Sequence, residues 1–126
     1  MDKVEKGWGF EQIIHNADGY CGKVLNFKKG RKCSYHYHAK KTETFYCLGK
    51  VLLRYGFCDD VSKCSQRILV AGDIFHVPVG MRHQIEAMED SRIFEFSNTD
   101  YPDDSIRVAN GDSQIKIPLT ETALAN

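Results

Sequence analysis

The sequence has no excess charge of either sign, because 17 lysine and arginine residues balance 17 aspartate and glutamate residues over 126 positions. A chain with this balance generates no broad positive field, so we expect it to bind neither nucleic acid nor an anionic membrane surface. It also contains no apolar run long enough to cross a bilayer. The first ten residues, MDKVEKGWGF, lack the apolar segment of a secretory signal, which predicts a cytoplasmic protein.

Paired cysteine motifs are absent as well. The five cysteines are odd in number and form no CxxC pair, a usage typical of reduced thiols inside a cell. Cys58 and Cys64 flank a predicted hairpin loop and could be joined by oxidation, but we expect them to be free thiols.

No long stretch of the chain has a helical period. Short apolar segments instead recur about every ten residues, separated by glycine, aspartate and asparagine, a pattern typical of an all-β sandwich or barrel. The length suits one domain with its own core. We assign residues 1–108 to that domain and residues 109–126 to a C-terminal tail that is either an added strand or disordered. The predicted strands cover residues 7–15, 20–27, 32–38, 44–48, 50–57, 66–70, 74–77, 83–88 and 92–97.

The most informative segment is residues 30–49, GRKCSYHYHAKKTETFYCLG. Side chains two apart leave the same face of a strand, so His36 and His38 can approach one metal ion. Glu43 follows a short polar turn and can return to that face from the next strand. Downstream, GDIFHVPVGMRH predicts a strand and a turn that lead to His83, a fourth possible ligand. The alternative interpretation is a pair of surface histidines on an amphipathic strand.

Three imidazoles and one carboxylate favour a borderline divalent ion, namely Zn, Fe, Mn, Ni or Co. On an octahedral ion, four protein ligands leave two positions for substrate oxygens. His76 alternates with Ile74 and Pro78, so it is either an acid/base candidate in the pocket or a structural histidine. Phe94 and Phe96 are predicted core residues, and Glu95 between them faces either solvent or the site.

Two motifs in these segments resemble the two-part signature of the cupin family. Residues 30–43 read G-x5-HxH-x4-E, and residues 72–83 read G-x5-PxG-x2-H. The resemblance implies a double-stranded β-helix, the cupin jelly-roll barrel, with His36, His38, Glu43 and His83 as metal ligands. It also implies a homodimer. The chain departs from the usual motifs at Gly49, which follows the glutamate after six residues instead of seven, and at Ala87, where asparagine is common.

A closer resemblance covers residues 6–108. The chain is similar there to the mannose-6-phosphate isomerase domain of bifunctional isomerase/guanylyltransferases. Four segments carry this similarity: KGWGFE, HYHAKKTETFY, VPVGMRHQIEA and DYPDDSIRV. The chain departs from that family at Gly7, where proline is usual, and at His36, where glutamine is common, and the 126 residues contain no nucleotidyltransferase domain. The resemblance implies aldose–ketose isomerisation of a phosphorylated sugar, with Lys41, Arg82 and Arg107 as phosphate-binding candidates. The alternative interpretation is that each of these three residues is a solvated surface charge.

Three functions are compatible with the sequence. The first is a metal-dependent sugar-phosphate isomerase, which the family resemblance favours. The second is a non-catalytic cupin that binds a carbohydrate or a small acid, and the third is an Fe(II) dioxygenase. Glu43 is a poor free base if it binds the metal, and the sequence identifies no certain replacement, so the catalytic base is left open.

Overall fold

The computed structural model describes residues 2–112 of the chain. Residues 113–126, which carry most of the predicted tail, lie outside the described residues. Within residues 2–112, no helix is long and apolar enough to span a membrane. The regular structure of these described residues is strand, apart from the two 3₁₀ turns Val61–Lys63 and Pro102–Asp104.

Residues 2–112 form eleven strands in two antiparallel sheets, which confirms the predicted all-β jelly roll. The first sheet has the order β1-β2-β3-β10-β5-β8, and the second has the order β11-β4-β9-β6-β7. The strands are β1 (Asp2–Lys6), β2 (Gly9–Ala17), β3 (Tyr20–Phe27), β4 (Tyr35–His38), β5 (Glu43–Leu48), β6 (Lys50–Gly56), β7 (Ser65–Val70), β8 (Ile74–Val77), β9 (Arg82–Ala87), β10 (Ser91–Asn98) and β11 (Ser105–Ala109).

Strands β1 and β11 were not predicted from the sequence. β1 reads DKVEK, a charged segment that has little apolar alternation and pairs as an edge strand with β2. β11 pairs with β4, which carries two of the predicted metal ligands, and it crosses the predicted domain boundary after residue 108. Ala109 is the only residue of β11 that lies in the segment predicted as the tail.

The hydrophobic core lies between the two sheets. Leu53, Leu69 and Ile93 are completely buried there, because alternate residues of each strand point toward the opposite sheet. Gly49 joins β5 of one sheet to β6 of the other with a φ of 137°, and a side chain at this position would collide with Ser91. The junction between the sheets therefore requires glycine.

The orientation predicted for β10 is wrong. Phe96 is 58% exposed, and Phe94 is only partly buried, whereas Ile93 and Glu95 point inward. The alternation of apolar and polar residues in the sequence had favoured the strand face that carries the two phenylalanines as the one that packs in the core. A buried carboxylate is tolerated at Glu95 because the Lys41 ammonium lies 3.1 Å from its Oε2 atom.

Candidate metal centre

Three histidines meet on the inner face of the second sheet. His36 and His38 lie on β4 and project from the same face, and His83 near the start of β9 is paired directly with His36 across the two strands. One ring nitrogen from each of the three lies within 4.8 Å of the others. The register of two neighbouring strands thus brings together residues that are more than forty positions apart in the sequence.

The orientation of each imidazole is fixed by a hydrogen bond to a main-chain carbonyl. Such a bond places the proton on Nδ1, so the Nε2 atom carries a free lone pair. The assignment of the tautomer follows from these contacts. The Nδ1 atoms donate to the carbonyl oxygens of Ser34 (from His36, 2.9 Å), Asp104 (from His38, 3.3 Å) and Met81 (from His83, 2.9 Å).

Glu43 supplies a carboxylate at the same point. It is the first residue of β5, and its Oε1 atom lies 2.9 Å from Nε2 of His83 and 3.4 Å from Nε2 of His38. Its Oε2 atom is buried and makes no hydrogen bond within the described residues, although the Lys41 ammonium is 3.3 Å away. Lone pairs of three nitrogens and a carboxylate repel one another unless protons or a metal cation lie among them. Protons make the contacts of Glu43 with His38 and His83 hydrogen bonds, and a divalent metal ion that replaces them fits this donor set.

The pKa values of two of these groups also suit metal binding. Burial, reinforced by the neighbouring rings of His83 and His38, lowers the pKa of His36 to about 3, so its ring is neutral near pH 7. Burial alone would raise the pKa of Glu43. Its contacts with His38 and His83 and the charge of Lys41 outweigh burial and hold that pKa well below the usual range. An ionised carboxylate and a neutral imidazole are the forms that bind metals.

The four groups lie in the wall of a cavity of about 720 Å³ between the two sheets. Trp8, Phe27 and Phe45 belong to both the hydrophobic core and the lining of this cavity. A cavity of this volume accommodates a small metabolite. Its wall combines an apolar side with the polar cluster around Glu43.

A network of buried charges extends from Glu43 into the cavity wall. Lys41 is only 3% exposed, and its Nζ atom lies 3.3 Å from Glu43, 3.1 Å from Glu95 and 3.0 Å from Asp100. Lys23 lies 2.6 Å from the other oxygen of Asp100. Lys41 is thus no surface charge, and Asp100 bridges the two lysines.

Sequence reasoning missed two members of this network, Lys23 and Asp100, and left open whether Glu95 faces solvent or the site. A signal existed for Lys23, since it shares the inward parity of Leu25 and Phe27 on β3. Burial, and then the charge of Glu43, raise the pKa of Glu95 to about 7, with Lys41 and Lys23 opposing the shift. A buried carboxyl with a pKa this strongly raised is a candidate for proton transfer in the cavity.

The other predicted site residues occupy different surroundings. Arg107 on β11 is exposed, lines the cavity and lies opposite His36 in the register. Lys6, which was not predicted, lines the cavity too. Neither cation forms an ion pair within the described residues.

Arg82 and His76 do not line this cavity. Arg82 forms an ion pair of 2.8 Å with Asp59, and its guanidinium group stacks 3.8 Å from the ring centre of Tyr37. His76 is exposed on the outer face of β8, where its ring nitrogen lies 3.1 Å from the hydroxyl of Thr44. Of the two alternatives for His76, the structural one agrees with this position, and an acid/base role in the cavity has no geometric basis.

Comparison with known proteins identifies the fold. No model of a known protein family matches the sequence, and no curated protein sequence is similar to it. Many solved structures are similar, and three of them illustrate the likeness. KdgF from Halomonas sp. has a TM-score of 0.64 and 20% identity, over 75% of this chain and 82% of KdgF. The capsular polysaccharide assembling protein CapF from Staphylococcus aureus has a TM-score of 0.72 and 20% identity, over 84% of this chain and 33% of CapF.

The third is an RmlC-like cupin from Shewanella frigidimarina, with a TM-score of 0.68 and 18% identity, over 81% of this chain and 86% of that protein. The protein therefore has the cupin jelly-roll fold. The chain spans about a third of CapF but most of the other two proteins. At these identities the likeness concerns the fold, so the activity has to be argued from the cavity itself.

Proposed function

We propose that this protein is a metal-dependent isomerase that acts on a phosphorylated sugar. The observation that carries the proposal is the convergence of His36, His38, His83 and Glu43 in the wall of a cavity whose lining also contains a second carboxylate, Glu95. The donor set of three nitrogens and one carboxylate selects a borderline divalent ion such as Zn, Fe, Mn, Ni or Co. Such an ion, when bound, polarises a carbonyl group and the hydroxyl group next to it.

Glu95 is the residue that moves the proton in this proposal. Aldose–ketose isomerisation transfers one proton between neighbouring carbons, so a single base can remove it from one carbon and return it to the other. Glu43 is committed to the metal, whereas Glu95 is buried in the cavity wall and its Oε1 atom has no hydrogen bond within the described residues. Burial raises the pKa of Glu95 above its usual value, which favours both the acceptance and the return of a proton.

Lys41 orients this base. Its ammonium group donates a hydrogen bond of 3.1 Å to Oε2 of Glu95 and faces Oε2 of Glu43 at 3.3 Å. The carboxyl groups of Glu95 and Asp100, together with Glu43, raise the pKa of Lys41 above its usual value despite burial, so the group stays charged. In this proposal Lys41 acts inside the site by holding three carboxylates, and phosphate binding is left to other cations of the cavity.

The charges of the cavity favour an anionic substrate. The lining contains four carboxylates and four cations, so a bound divalent ion gives the site a net positive charge. Lys6 and Arg107 are the lining cations without an ion pair among residues 2–112. A guanidinium group binds a phosphate through two parallel hydrogen bonds, which suits Arg107 to the phosphate of a sugar phosphate.

A direct test uses the purified protein loaded with one divalent ion. Mannose 6-phosphate is added in D2O, and proton and phosphorus NMR follow the formation of fructose 6-phosphate and the loss of the proton on C2. Turnover in the native protein, together with its loss in Glu95→Gln at unchanged metal content, supports the proposal. Metal binding without turnover or proton exchange for mannose 6-phosphate and other aldose phosphates contradicts it and favours a binding protein. Oxygen consumption in place of isomerisation identifies a dioxygenase.

A further inference from the structure

We infer that Asp104 is the residue that positions the metal centre. It ends the 3₁₀ turn between β10 and β11 and is 3% exposed, although it carries a carboxylate. This carboxylate accepts three main-chain N–H groups in succession: Ala39 at 3.0 Å and Lys40 at 2.9 Å on Oδ1, and Lys41 at 3.0 Å on Oδ2. The segment that it binds connects His38 to Glu43.

The main chain of the same residue contacts a metal-binding side chain. The carbonyl oxygen of Asp104 accepts the Nδ1 proton of His38 at 3.3 Å. Asp104 thereby fixes the tautomer and the ring orientation of His38. Its carboxylate fixes the turn that determines the positions of Lys41 and Glu43. One residue from the other end of the domain thus holds two of the four proposed ligands in register.

This arrangement requires a negatively charged side chain at Asp104. Three N–H groups converge on two oxygens, and such a concave set of donors stabilises an anion. An asparagine in the same place offers one oxygen and one NH2 group, so the N–H of Lys41 or those of Ala39 and Lys40 would face another donor. The turn would then shift, and His38 would lose the support of the Asp104 carbonyl. Outer-sphere hydrogen bonds of this kind change metal affinity by about 10- to 100-fold.

The inference rests on the proposed metal site but not on the proposed reaction. Its test is the affinity of the whole protein for Co(II), measured by competition with a coloured chelator, for the native chain, Asp104→Asn and Asp103→Asn. Asp103 is the adjacent, exposed carboxylate of the same turn and provides a control of equal charge change. We expect Asp104→Asn to bind Co(II) about 10- to 100-fold more weakly. Asp103→Asn should match the native protein.

A spectroscopic readout separates positioning from a general loss of stability. Proton NMR of the Co(II) protein should give three shifted, exchangeable signals from the Nδ1 protons of His36, His38 and His83. In Asp104→Asn the His38 signal should move or exchange faster with water, while the other two change little. Should Asp104→Asn fail to fold, Asp104→Glu, which keeps the charge but lengthens the side chain, should show the same selective change.

Equal affinities and unchanged signals in the Asp104 and Asp103 variants would overturn the inference and leave the metal site intact. Uniform changes of all three signals in Asp104→Asn would also overturn it, since they would indicate a general rather than a local effect. A native protein that fails to bind Co(II) would overturn both the proposed site and the role of Asp104.

Discussion

The Nζ atom of Lys41 lies 3.3 Å from the Oε2 atom of Glu43, a buried oxygen that makes no hydrogen bond among residues 2–112. This relationship connects the proposed metal ligands to the charges behind them, because the same ammonium group contacts Glu95 and Asp100. Removing the ammonium would leave three carboxylates close together without a shared cation. Ion pairs between Lys41 and these carboxylates therefore stabilise the site, in addition to packing.

Lys41→Met should destabilise the metal-free protein by about 3–5 kcal/mol, the usual cost of removing one partner from a buried charge cluster. Part of this loss should be recovered when a divalent ion binds and neutralises Glu43. Urea unfolding with and without metal measures both effects. Lys40→Met changes the adjacent lysine, whose exposed side chain lies 5.5 Å from the ring centre of Tyr101 and forms no ion pair among residues 2–112, and should cost much less. Equal losses in the two variants would contradict the buried role of Lys41.

The pKa of Glu95 predicts how the stability depends on pH. Burial raises that pKa from 4.5 to about 7, so between these values the folded protein binds more protons than the unfolded chain at this position. The contribution of Glu95 to stability therefore falls as the pH rises through this window.

Glu95→Gln removes this titration. The free energy of unfolding of Glu95→Gln, relative to that of the native metal-free protein, should increase by at least about 1 kcal/mol between pH 5 and pH 8. Urea titrations at several pH values measure the difference, and Glu89→Gln, on the surface, serves as the control. A difference that is constant over this range would show that Glu95 has an ordinary pKa.

Arg107→Ala should weaken the binding of sugar phosphates by about tenfold or more, because it removes a charged hydrogen-bonding group from the anion. The binding of the corresponding free sugars should change little. Calorimetric titration with mannose 6-phosphate and mannose makes the comparison. Arg82→Ala is the matched control, since this arginine pairs with Asp59 and lies outside the cavity lining. An equal effect of Arg107→Ala on both ligands would remove its phosphate role.

His36→Ala and His83→Ala should each lower the metal content sharply and leave the β-fold largely intact. Each removes one nitrogen donor, whereas the core around Leu53 and Ile93 is untouched. Elemental analysis and circular dichroism give the two readouts. His76→Ala removes an exposed imidazole and should retain full occupancy. Full occupancy in both ligand variants would refute the assignment.

The sequence was informative wherever the structure depends on local spacing. The HxH spacing fixed a common face for His36 and His38, and the glycine- and proline-containing turn before His83 placed it near the start of the correct strand. The all-β fold followed from short alternating segments in the same way. These features depend on the period of a strand, which a sequence displays directly.

The remaining features depend on contacts between distant segments. The buried cation of Lys41, 54 positions away, stabilises the inward position of Glu95, and alternation in the sequence does not show this contact, so it selected the wrong face of β10. Asp104 carries out its role through main-chain groups of residues 39–41, which have no signature in their side chains. The homodimer and the cytoplasmic location inferred from the sequence stay predictions.

The central claim is that His36, His38, Glu43 and His83 bind one divalent metal ion, and native mass spectrometry tests it most directly. The protein is stripped with a chelator, exposed in turn to Zn, Fe(II), Mn, Ni and Co(II), and weighed without denaturation. We predict one tightly bound ion per chain for at least one of these metals, and loss of that ion in His83→Ala but not in His76→Ala. A chain that binds no ion from any of them, or binds it equally well without His83, would contradict the account.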